Sequence, residues 1–99
     1  MAIVQSSGNL TLLRTHDVGT GYGPPDDQID VEVVVWLDTM PDYAFGFQLR
    51  DDANRPLRQG MLDILRDAFD NDWQVTLDYE IEEGQQNGVI RRAWLTKET

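Results

Sequence analysis

The chain holds few groups able to do covalent chemistry. Its single histidine, His16, stands between Thr15 and Asp17. A nearby aspartate can orient an imidazole as a general base, but adjacent residues on a strand point to opposite faces. The two serines, Ser6 and Ser7, sit near the amino terminus with no G-x-S-x-G turn around them. Since cysteine is absent, a histidine-activated nucleophile would have to be a serine or a threonine. His16 therefore reads as a surface or loop histidine. The expectation is a protein that is not an enzyme and has no catalytic residue; the alternative is a small enzyme that uses His16 with nearby carboxylates.

Metal and phosphate sites fare no better. Asp26, Asp27 and Asp30, or Asp67, Asp70 and Asp72, offer oxygen ligands to a hard cation, but neither set has EF-hand spacing. One histidine without cysteine argues against zinc. Gly19-Thr20-Gly21-Tyr22-Gly23 is glycine-rich, yet Pro24-Pro25 follows it and no lysine is near. A phosphate-binding P-loop needs a helix carrying Lys and Ser or Thr after its glycines. The reading is no metal and no cofactor.

Charge narrows the partners. Eight basic residues against eighteen acidic ones give a net charge of −10 in 99 residues. Nucleic-acid affinity comes mainly from cations that neutralise phosphates. A single-stranded nucleic-acid module, the alternative reading, would need Arg14, Arg50, Arg91 and Arg92 to converge on one stripe. Arg91 and Arg92 lie instead opposite Asp78, Glu80 and Glu82 on a neighbouring strand, which points to cross-strand ion pairs. The field also repels anionic membranes and steers basic proteins. The longest apolar run, Val33 to Leu37, is too short to span a bilayer. Met1 to Ser6 has neither a basic nor an apolar leader region, so the protein reads as soluble and cytoplasmic.

The elements that must position these residues are legible from periodicity. Val75, Leu77, Tyr79 and Ile81 alternate with Thr76, Asp78, Glu80 and Glu82, a half-buried antiparallel strand. Glu83 to Gly88 reads as a turn ending in an Asn-Gly pair, and Val89 to Leu95, with Ile90 and Trp94 at its core or closing edge, as the returning strand. Ile29, Val31, Val33, Val35 and Leu37 form one face of an earlier strand. Asp30, Glu32, Val34, Trp36 and Asp38 form the other. After a turn at Thr39 to Asp42, Tyr43, Phe45, Phe47 and Leu49 face inward on a third strand, whose Gly46 suggests a bulge or bend. The first strand is expected over Leu10 to Thr15, with Leu10 and Leu12 inward. Ile3 and Val4 extend it or pair separately.

One helix follows Asp52-Ala53-Asn54-Arg55-Pro56, a cap with a proline suited to the first turn. Leu57, Met61, Ile64, Leu65 and Ala68 make its buried stripe, widened by Leu62 and Phe69. Asn71 is expected to close it in the left-handed conformation, and Gly60 to mark close packing against a strand.

The order strand, long loop, strand, strand, helix, strand, strand resembles the OB-fold (oligonucleotide/oligosaccharide-binding) barrel, a five-stranded, partly open barrel. Leu57 to Phe69 as the inserted helix and Val75 to Leu95 as the closing hairpin carry the resemblance. It implies a mainly β, five-stranded antiparallel barrel in the order β-β-β-α-β-β. The rival is a simple antiparallel sheet with the helix packed across one face. Residues 1–99 form a single domain, with the barrel over 10–95 and residues 1–8 extended or frayed. Strand edges left open leave room for a homodimer.

The resemblance also implies a ligand surface on the loop after the first strand and the outer face of the second and third. The 17–28 loop is long for a compact domain, and Tyr22 stands between glycines as if offered to a ligand. On the outer face, Val34 and Trp36 would be joined by Gln48 and Arg50. A tryptophan beside an arginine and bounded by carboxylates has the composition of a protein interface. The expected binding residues are Trp36, Val34, Tyr22, Gln48 and Arg50. The expected function is a non-catalytic acidic module that recognises another protein.

Overall fold

The computed structural model describes residues 2–97. The elements are β1 (Ala2–Thr15), β2 (Val33–Leu37), β3 (Ala44–Phe47), α1 (Arg55–Asn71), β4 (Gln74–Ile81) and β5 (Asn87–Trp94). The five strands close into a barrel in the order β1-β2-β3-β5-β4. This is a mainly β fold with one helix between the third and fourth strands, consistent with an OB-like barrel. Neighbours pair antiparallel except β3 and β5, which close the cylinder side by side in parallel, Ala44 to Gly46 against Asn87 to Val89.

β1 serves two neighbours. Ala2 to Asn9 pairs with β4, and Leu10 to Thr15 pairs with β2. The amino-terminal segment expected to be extended or frayed is thus an ordered half-strand from Ala2 onward, while Met1 lies outside the described residues. Its polar residues find partners across the ladder: the hydroxyls of Ser6 and Tyr79 lie 2.8 Å apart, as do those of Ser7 and Thr76. A register shift between Leu10 and Leu12 turns the strand. Leu10 and Leu13 then pack toward the barrel interior, while Leu12, expected inward, packs on an outer cluster.

The barrel interior holds Val33, Val35 and Leu37 of β2, Phe45 and Phe47 of β3, Val75, Leu77 and Tyr79 of β4, and Ile90 of β5. The helix closes one end with Met61, Leu65 and Ala68, and Leu62 and Ile64 pack beside them. Leu57 and Phe69, expected on its buried stripe, are exposed. Pro56 occupies the first turn and Asn54 the cap position, without a side-chain capping bond. Asp72, rather than Asn71, takes the left-handed conformation (φ 55°) that ends the helix. Asp, like Asn, visits that region at small cost. In the β4–β5 turn, the positive φ belongs to Gly84, and Asn87-Gly88 already lies in β5.

A second, smaller cluster lies on the outside. Ile29, Val31, Val34 and Ala44 are buried there, with Leu12, Tyr22 and Val89 against them. Strict alternation would send Ile29 and Val31 inward with Val33. The chain before Val33 instead crosses over the outer face, so their side chains fill that cluster. Gly46 makes the crossing possible: a Cβ there would stand 2.6 Å from Val31 Cγ2 and 2.6 Å from the Val33 carbonyl oxygen. Of the bulge or bend expected at Gly46, the bulge does not occur between β2 and β3, whose register runs unbroken through it. Gly60 is the converse, with nothing within 4 Å of the position a Cβ would take, so close packing does not explain it.

Candidate functional site

The connection between β1 and β2 is an ordered structure. Tyr22 and Ile29 exchange backbone hydrogen bonds of 2.9 and 2.8 Å, and Asp27 N–H donates to the Pro24 carbonyl at 2.9 Å. The chain can reverse this tightly because Gly23 has φ 104°, where any Cβ would meet the Asp27 carbonyl oxygen at 2.3 Å. The loop is then fastened to the β4–β5 turn. Gln86 N–H donates to Asp27 Oδ2 at 2.8 Å, Asn87 Nδ2 to the Asp27 carbonyl at 2.7 Å, and Gln85 Nε2 to the Asp26 carbonyl at 3.2 Å. Asp27 therefore works as a structural bracket between two loops distant in sequence.

Between these loops and the start of β3 lies a cleft of about 180 Å³, lined by Tyr22, Pro24, Asp27, Trp36, Pro41, Asp42, Tyr43, Ala44, Gln86 and Asn87. Trp36 projects from the outer face of β2 and keeps 41 % of its surface exposed. Its indole N–H donates to the Tyr22 hydroxyl at 3.2 Å. The Arg14 guanidinium carbon stands 5.6 Å from the centre of the Tyr22 ring, a cation–π distance. The two aromatic rings are thus held together in one arrangement.

Of the residues expected to form the site, the structure brings Trp36 and Tyr22 together. Val34 does not join them: it is on the outer face, as alternation requires, but the returning loop covers it completely. Gln48 and Arg50 do not line the cleft either. Gln48 Nε2 donates to the Asp30 carbonyl at 3.1 Å. Arg50 clasps the buried carboxylate of Glu32 with Nε to Oε1 at 2.9 Å and Nη2 to Oε2 at 2.9 Å, and reaches Asp30 Oδ1 at 2.7 Å. Hydrogen bonds to Glu32, then to Asp30, hold the Arg50 guanidinium above its ordinary pKa. An arginine is cationic at any working pH, so this is a statement about attachment and not about titration. Leu49 N–H also donates to Glu32 Oε1 at 3.1 Å, completing a bracket around the end of β3.

Pro41, Asp42, Tyr43, Ala44, Gln86 and Asn87 line the cleft and escaped sequence reading. Pro41 and Asp42 read only as turn residues, and Tyr43 as an inward-facing strand residue. Tyr43 is half-buried against the core and still lines the cleft. The β4–β5 turn could have been found from the resemblance itself, because the loop between the last two strands shares the ligand surface of OB barrels.

The remaining chemistry-bearing groups are placed elsewhere. His16 lies within hydrogen-bond distance of the Val31 carbonyl through Nε2, at 2.6 Å, and does not line the cleft. Its Nδ1 is buried without a hydrogen-bond partner. Arg91 pairs with Glu80 at 3.0 Å and Arg92 with Asp78 at 3.3 Å, the cross-strand pairing anticipated from their register. Among the described residues, no group of three or more His, Cys, Asp or Glu could hold a metal ion, and no helix is long and apolar enough to cross a membrane. Comparison with family models, with curated proteins and with solved structures finds no match for this chain.

Proposed function

We propose that the domain is a non-catalytic binding module that recognises a basic segment of another protein at the cleft between the β1–β2 loop and the β4–β5 turn. One observation carries this reading. Trp36 and Tyr22 are hydrogen-bonded to each other at a solvent-facing cleft whose rim bears Asp27 and Asp42. Tryptophan and tyrosine are the residues that concentrate binding energy at protein interfaces. Carboxylates beside aromatic faces favour lysine and arginine over phosphate. The net charge of −10 acts in the same direction at long range. Single-stranded nucleic acid fits this surface less well. Of the four arginines it would need on one stripe, Arg50, Arg91 and Arg92 are each engaged by carboxylates of the same chain. That leaves Arg14, over the Tyr22 ring, as a lone cation at the cleft among the described residues.

The test uses two probes on isotope-labelled protein at low salt, a lysine- and arginine-rich peptide and a thymidine oligonucleotide. The peptide is expected to shift the Trp36 indole N–H resonance, and the oligonucleotide to leave it in place. Trp36→Ala is expected to lose about 2 kcal/mol of peptide binding, roughly thirtyfold in Kd. Undiminished peptide binding by a folded Trp36→Ala variant, or tighter binding of the oligonucleotide, overturns the reading.

A further inference from the structure

Antiparallel strands turn the N–H and C=O groups of alternate residues to opposite sides. Along the first half of β1, one side is taken by β4. Ser7 and Asn9 face the other way: the Ser7 carbonyl accepts from Thr39 Oγ1 at 2.6 Å, and the Asn9 carbonyl accepts from Asp38 N–H at 2.9 Å. Period two then puts the backbone groups of Gln5 and Ile3 on that same side. Ile3 and Gln5 pair with β4 alone, and no other backbone partner meets either residue among the described residues. The barrel is closed, yet this stretch of its wall has an open edge.

Proteins usually blunt such an edge with a charge, a proline or a bulge. From Ala2 to Asn9 there is no charged residue and no proline, and the register with β4 is unbroken. Ile3 and Val4 are both exposed. Val4, Tyr43 and Ile81 line a groove of about 590 Å³ with Glu82 and Glu83 at its rim. Neither glutamate is ion-paired among the described residues.

We infer that the Ile3–Gln5 edge accepts an added strand from a basic partner, an extended segment in which apolar residues alternate with Lys or Arg. Backbone hydrogen bonds to Ile3 and Gln5 would hold it, as in other cases of strand addition to a sheet edge. Its apolar side chains then fall on the Val4, Ile81 and Tyr43 side, and its cations project from the opposite face by the strand's own alternation. Glu82 and Glu83 at the groove's end draw them through their field rather than by contact. A second copy of this chain is a poor occupant, because each copy carries −10 and brings its own Glu82 and Glu83 to the contact. The inference does not depend on the aromatic cleft, whose loss by Trp36→Ala leaves this edge intact.

The probe is a short peptide alternating Lys and Val, with a Glu and Val peptide as control. At millimolar Lys–Val peptide, hydrogen exchange of the Ile3 and Gln5 amides is expected to slow about tenfold or more. Gln5→Pro removes the outward N–H and is expected to weaken binding about tenfold. Gln5→Ala, which loses only the side-chain bond to Asp78 Oδ1, is expected to bind like the parent. If Gln5→Pro disturbs folding, the double substitution E82Q/E83Q supplies the second arm and must weaken Lys–Val binding in a folded barrel. Three results overturn the inference: unchanged Ile3 and Gln5 exchange, equal binding of the Glu–Val peptide, or sedimentation showing that free protein pairs two copies at this edge.

Discussion

Val33 and Val34 are neighbours in sequence, equally inaccessible to solvent, and buried in different cores. Val33 packs inside the barrel among residues of four strands and the helix. Val34 packs outside it, under Ile29 and Val31 of the loop that returns to β2. The inner core is made by the ladder, since closing five strands brings their alternate residues together wherever the chain begins. The outer cluster is made by one loop choosing to lie down, and it depends on Gly46 leaving room beneath Val31. In the OB-like arrangement this outer face is the expected ligand surface. Here the loop covers its centre and leaves Trp36 at the margin, so the accessible cleft lies beside that face and not on it.

Substitutions in the two cores should separate global from local stability. Phe47→Ala in the barrel interior is expected to cost about 3–5 kcal/mol in urea unfolding. Val34→Ala removes less buried surface and is expected to cost roughly 1–3 kcal/mol. The sharper difference is local. Val34→Ala should speed hydrogen exchange at the Tyr22 and Ile29 amides, which hold the loop's own bridge, more than at β4 amides. A uniform acceleration across both would mean that the two clusters unfold as one.

Gly46 lies where the two cores meet back to back. A methyl group there would meet Val31 Cγ2, which can rotate, and the Val33 carbonyl oxygen, which is held in the β2–β3 ladder. Gly46→Ala is expected to destabilise the protein by about 1–3 kcal/mol. Adding Val31→Ala should recover part of that loss, because it removes one of the two clashes, and the two effects should therefore be non-additive. Full additivity would place Val31 elsewhere than above Gly46.

Much of the architecture could be read from local patterns, and the particular failures have a common cause. Alternation in Val75 to Ile81 found the inward side of β4, and the helical stripe found Met61, Leu65 and Ala68, because each pattern reports on one element against one core. It also found that Trp36 faces away from the interior. It could not tell that Val34, with the same parity, would be roofed by the loop, since the roof comes from residues that must first fold back over Gly46. Ser6 and Ser7 looked like a loose end because polar residues in isolation do not reveal that Tyr79 and Thr76 await them across a ladder some seventy residues away. The cleft suffered most. Asp42, Tyr43, Gln86 and Asn87 come from two turns that meet only after the barrel closes through the parallel β3–β5 pairing.

Gly60 tests the same point from the opposite side with the smallest expected effect. Read from sequence, a mid-helix glycine and a mid-strand glycine look alike, and each invites a packing explanation. At Gly60 none exists: the Cβ position opens toward a groove of about 350 Å³ between the helix and β5, lined by Leu57, Met61, Ile64 and Ala93 among others. Gly60→Ala should therefore raise stability by about 0.5–1 kcal/mol, through lower chain entropy in the unfolded state and better helix propensity. Measured beside Gly46→Ala, it makes the sign of a glycine-to-alanine change the readout of what surrounds each residue. Destabilisation at Gly60 would require a neighbour that the geometry does not contain.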